Sequence, residues 1–139
     1  MRTILAFLSA AAIAAPAAAA EPVTMQIHLT GAAEVPGPGD PDGKGTASVT
    51  LDSAKTEICY TLEVSGIDTA TMAHIHKGAA GVAGPPVVTL DPPAKGTSEG
   101  CAGAEADVVA ALLAKPADYY INIHNAAHPK GALRGQLVR

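Results

Sequence analysis

Thr24-Met25-Gln26-Ile27-His28-Leu29-Thr30 alternates apolar and polar residues without a break. Side chains of a strand point to opposite faces in turn, which sets Met25, Ile27 and Leu29 inward and His28 outward. The same pattern recurs downstream. Thr46 to Leu51 and Glu57 to Val64 read as two strands joined by a turn around Asp52-Ser53-Ala54-Lys55. In the second of these, Ile58, Tyr60, Leu62 and Val64 share one face and Cys59 lies on the other. Met72 to Lys77, Val87 to Leu90, Asp118 to His124 and Ala132 to Val138 complete the set, the last two as a hairpin around His128-Pro129-Lys130-Gly131.

Between these runs lie segments that break a ladder. Gly31 to Gly43 carries Pro36, Pro38 and Pro41, Gly78 to Pro86 is glycine- and proline-rich, and Asp91 to Gly103 reads as a further loop. One helical pattern is present over Glu105 to Ala114, where Val108, Val109, Leu112 and Leu113 form a stripe and Pro116 follows its end. Short strands with one short helix predict an all-β fold, an antiparallel immunoglobulin-like or dismutase-like β-sandwich.

Residues 1–20 read as an export signal. Met1-Arg2 gives a positive start, Ile4 to Ile13 an apolar stretch, and Ala18-Ala19-Ala20 a cleavage site before Glu21. No later run is long and apolar enough to span a bilayer, so no membrane anchor is expected. The mature chain, residues 21–139, is then one exported domain, periplasmic or secreted. Nine basic and thirteen acidic residues give a net charge of −4, which becomes −5 when Arg2 departs with the signal. With no basic cluster, nucleic acid is excluded as a partner. Phe7 is the only phenylalanine, and tryptophan is absent, so Val, Ile, Leu, Ala and three tyrosines must build the core.

A core so thin gains from a staple. Cys59 and Cys101 are expected to form a disulfide, since exported chains meet an oxidising compartment. Closing that loop would stabilise by about 4 kcal/mol on the loop-entropy account. Thiolate metal ligation and two free thiols are the alternatives.

The chemistry-bearing pattern is His74-Ile75-His76 together with His124 in Tyr120-Ile121-Asn122-Ile123-His124. An H-I-H triplet in a strand throws both imidazoles to one face, and a third from another strand makes a plausible metal set. Met72 and His128 are additional candidate ligands. Copper is the expected ion, given the imidazoles and the thioether of Met72. The competing account has the histidines bracing strands and loop carbonyls, as buried imidazoles require partners. Glu34 and Arg134, at opposite ends of the mature chain, are expected to form a structural ion pair or to have the guanidinium cap loop carbonyls. Enzyme chemistry is not expected. Ser48, Ser53, Ser65 and Ser98 sit in no nucleophile elbow, and the Gly78 to Gly84 run leads into a strand instead of a phosphate-binding helix.

Glu34-Val35-Pro36, Glu57-Ile58-Cys59-Tyr60 with Gly100-Cys101, Ala73-His74-Ile75-His76 with the glycine-rich run after it, Tyr120 to His124, and Pro129 to Leu137 occur in one order along the chain. Together they resemble the CHRD domain, a module named for the extracellular protein chordin. The resemblance implies an immunoglobulin-like or dismutase-like sandwich over nearly all of the mature chain. It does not imply a function, because fold alone does not fix one. Two readings follow from the residues: a non-catalytic copper-binding protein, or a protein- or surface-binding module with structural histidines and an unidentified protein partner.

Overall fold

The structure, a computed structural model, describes residues 20–139; the export signal read over residues 1–20 lies outside them except for Ala20. Among the described residues eight strands run in chain order as β1 (Val23–Thr30), β2 (Lys44–Asp52), β3 (Glu57–Ser65), β4 (Ala70–Lys77), β5 (Pro86–Leu90), β6 (Thr97–Gly103), β7 (Tyr119–Asn125) and β8 (Leu133–Gln136). One α-helix, α1 (Ala106–Ala114), lies between β6 and β7. The all-β class with a short helix is therefore as the sequence reads.

The strands form a single sheet in the order β5-β4-β7-β8-β1-β2-β3-β6, antiparallel throughout. It falls into two four-stranded halves. β1 and β8 share only one register pair, Thr30 with Arg134, so the halves meet at a narrow seam. Gly135 makes that seam close, because a Cβ there would strike the backbone carbonyl of His28. The sheet folds over at the seam, and the inward faces of both halves meet in one hydrophobic core. Met25, Ile27 and Leu29 from β1, Val49 and Leu51 from β2, and Ile58 and Leu62 from β3 face Ile75 from β4 and Ile121 and Ile123 from β7. Each large aliphatic side chain contributes about 1.5–3 kcal/mol on burial. Val109 and Leu112 of α1 join the same core.

The segment from Asp91 to Gly103 is not loop throughout, since Thr97–Gly103 is β6. Its sequence, Thr-Ser-Glu-Gly-Cys-Ala-Gly, has no apolar alternation to announce a strand. Pairing with β3 creates it: Cys59 and Cys101 are direct cross-strand partners, and their sulfurs are bonded at 2.08 Å. The disulfide sits on the outer face of the sheet and staples this edge strand to its neighbour. The helix begins one residue later than the stripe implies, with Glu105 as its N-cap residue. None of the described helices is long and apolar enough to cross a membrane.

Candidate metal centre on a roofed sheet face

β7 is buried along its whole length, on both faces. Its inward residues Tyr119, Ile121 and Ile123 belong to the core. Its outward residues, Tyr120, Asn122 and His124, would face water in an ordinary outer strand. Three connecting segments cover them instead.

The first cover is the glycine-rich turn after β4. Arg134 on β8 donates from Nη1 to the Val82 carbonyl at 3.0 Å and from Nη2 to the Ala79 carbonyl at 2.8 Å. Gln136 Nε2 donates to the carbonyls of Gly78 and Ala117 at 2.6 and 2.7 Å. The Gly84 N–H donates to Tyr120 Oη at 3.1 Å. The Arg134 guanidinium lies 3.5 Å from the centre of the Tyr120 ring, and His76 stacks on the same ring with centroids 5.0 Å apart. A flat cation, a phenol and an imidazole thus share stacking and quadrupole attraction under the turn.

The second cover is the segment after β1. Asn122 Nδ2 donates to Glu34 Oε1 and, at 3.1 Å, to the Leu133 carbonyl. Burial raises the Glu34 carboxyl to about 7, against the opposing pull of the Asn122 hydrogen bond and the Arg134 charge. Gly131 packs against this carboxyl: a Cβ would overlap its oxygens, and the residue holds φ at 142°, where only glycine is unstrained. The third cover is the β7–β8 connection, in which the Pro129 carbonyl reaches His124.

Glu34 and Arg134 do not form the expected ion pair. Among the described residues, the ion pairs are Lys55 with Asp52 and His128 with Asp40. Arg134 takes the other role foreseen for it, capping loop carbonyls, and its charge reaches Glu34 only at longer range. His128 is likewise not part of the histidine cluster, since its Nε2 lies 3.8 Å from Asp40 Oδ2. His28 is exposed on β1, which borders β2 and β8 and not β4.

His74, His76 and His124 do come together, on the adjacent strands β4 and β7. One nitrogen from each can be chosen so that all three lie within 4.8 Å of one another. Their ring centroids are 5.3 to 5.9 Å apart. Two of the rings have their tautomers fixed by backbone. His76 Nδ1–H donates to the Gly84 carbonyl at 2.8 Å, and His124 Nδ1–H donates to the Pro129 carbonyl at 3.2 Å. Each ring then keeps an Nε2 lone pair. His74 Nδ1 lies 3.3 Å from His124 Nε2 and can donate to it. His76 Nε2 is buried with no hydrogen-bond partner among the described residues.

Burial, the main cause in each case, holds all three imidazoles below the ordinary value of 6.5. The neighbouring imidazoles add to the effect at His74 and His124, and Arg134 adds to it at His76. The carbonyls of Gly84 and Pro129 pull the other way. The neutral rings that result are the form a metal ion requires. A backbone carbonyl on Nδ1 with Nε2 left free is also the usual support of a ligating histidine.

The sequence signals Tyr120 and Asn122 only as face-mates of His124. That they hold the covering loops is not legible there, because their partners are backbone groups far along the chain.

Fold and site together define a small, disulfide-stapled β-domain with a roofed polar face carrying three histidines. The chain belongs to the CHRD domain family, whose model matches residues 25–137, nearly the whole chain. No match is found among curated proteins or among solved structures. The disulfide fits an oxidising compartment.

Proposed function

We propose that this is an exported, non-catalytic metal-binding protein, periplasmic or secreted, in which His74, His76 and His124 hold the ion. The observation that carries the reading is His76 Nε2. A buried nitrogen without a partner costs about 1–3 kcal/mol, and an ion shared with the other two rings would remove that cost. Three ligand nitrogens at about 2.0 Å from one ion lie about 3.3–3.5 Å apart, so the widest pair of the trio must close by up to about 1.5 Å. His74 would also move its proton to Nε2, exchanging its bond to His124 for the ion. Three imidazoles without a carboxylate or thiolate suit copper, with zinc as the competitor.

The contact between His74 Nδ1 and His124 Nε2 favours a second reading, in which the histidines only brace the face of a protein-binding module. Calorimetric melting with and without copper(II) separates the two. Metal binding should raise the melting temperature of the wild-type protein, and His76→Ala should abolish the rise while His28→Ala keeps it. A wild-type melting curve indifferent to copper(I), copper(II) and zinc(II) would leave the bracing role.

A further inference from the structure

Among the described residues, three large apolar side chains are exposed, Met72, Val82 and Val138. Val82 belongs to a loop, and Val138 follows the last strand. Met72 alone lies within a strand, and it is 46% exposed. It precedes His74 by two residues, on the same outward face of β4, while Ala73 and Ile75 point into the core. In the β4–β7 ladder its direct partner is His124. Residues directly opposite in an antiparallel pair hold their Cβ atoms about 4.5–5.5 Å apart, within reach of a flexible methionine. The ladder also shifts register between Ala70 and Met72, and irregularities of this kind re-aim side chains beside functional sites. Met72 thus flanks His74 along β4 and His124 across the ladder, at the exposed end of the cluster.

Resting on the metal reading above, we propose that Met72 supplies a thioether ligand and that the ion this site is built to hold is copper(I). A thioether is a soft donor that prefers copper(I) and adds little for zinc(II). His76 and His124 are held by backbone carbonyls, whereas Met72 is half-exposed and carries an unbranched, adaptable side chain. The arrangement gives a fixed imidazole floor and an adaptable sulfur arm on the solvent side, where copper(I) enters and leaves.

The test is competition for copper(I) against bicinchoninate, with ascorbate as reductant because a thiol would open the disulfide. Zinc(II) and copper(II) titrations run in parallel on wild type and on Met72→Leu, an exposed substitution of similar volume. The expected loss of copper(I) affinity in Met72→Leu is at least about tenfold, the scale on which even supporting residues of a metal site matter, with zinc(II) affinity unchanged. X-ray absorption of the copper(I) protein should show a sulfur neighbour that the variant lacks. If Met72→Leu keeps the wild-type copper(I) affinity and no sulfur neighbour is seen, while the imidazoles still bind a metal, the thioether proposal is wrong and the metal centre stands. If wild type takes up none of the three ions, the metal centre falls and Met72 with it.

Discussion

The outer face of β1-β2-β3-β6 and the outer face of β4-β7-β8 belong to one sheet and are built on opposite principles. The first is open to water. Thr24 meets Thr50 across the ladder at 2.8 Å, Gln26 meets Ser48 at 2.9 Å, and Cys59 is bonded to Cys101, so short polar groups satisfy one another locally or through solvent. The second is roofed. Its long polar side chains reach backbone groups as much as 58 residues away, and Arg134 is among the largest fully buried side chains. A polar group taken out of water must find protein partners or cost free energy. The roofed face nearly meets that condition: Tyr120, Asn122, Arg134 and Gln136 are all bonded, and His76 Nε2 is the exception. The exception falls where three imidazoles meet.

The largest test of this contrast is Arg134→Ala. It strips partners from two loop carbonyls, removes the cation from Tyr120 and leaves a void, although it also relieves the burial of a charge. A net loss of about 3–5 kcal/mol is expected in urea denaturation, against no more than about 0.5 kcal/mol for Gln26→Ala on the open face. A loss below about 1 kcal/mol for Arg134→Ala would break the comparison, because the roof would then rest on something else.

The disulfide comes next in size. Replacing Cys59 and Cys101 with alanine should cost about 2–4 kcal/mol, since the bond closes a separation of 42 residues. The damage should be local. Hydrogen exchange should show β6 amides losing protection first while β4, β7 and β8 keep theirs. If β7 loses protection together with β6, the halves do not behave as separable units.

The open face was largely legible in the sequence and the roofed face was not. Alternation in β1 and β3 marked the inward residues because one side of each strand sees the core and the other sees water. β6 is not legible as a strand because its inward residues Ser98, Gly100 and Ala102 include no large apolar side chain; the β3 edge and Cys101 make it one. On the roofed face, the His-Ile-His triplet and His124 declared themselves through strand parity alone. For Glu34 and Arg134 the sequence supports an ion pair and carbonyl capping alike, and only the capping by Arg134 is formed. Opposite charges invite pairing, whereas in space Arg134 is held by the carbonyls of Val82 and Ala79, which no sequence pattern identifies.

The smallest expected effect concerns Glu34, and its sign depends on pH. The folded protein holds this carboxyl at about 7, above its ordinary 4.5, chiefly because it is buried. Between those two values the folded state keeps a proton that the unfolded chain has released. Stability from this group therefore falls as pH rises through that window and stays low above it. The three histidines act in the opposite sense: held below 6.5, they resist charging when folded, so their contribution is lost as pH falls below that value. Wild type and Glu34→Gln share the histidines, so comparing the two isolates the carboxyl. Glutamine keeps an oxygen to accept from Asn122 and has no charge to bury. With metal removed by chelation, Glu34→Gln should be more stable than wild type above pH 7, by about 1 kcal/mol once partial solvent screening is allowed for. That advantage should vanish near pH 4.5, where the wild-type carboxyl is protonated when folded and the unfolded chain begins to take up the same proton. A stability difference that stays constant from pH 4.5 to above 7 would show that Glu34 is not desolvated by the roof. The second cover would then be looser than its hydrogen bond to Asn122 implies.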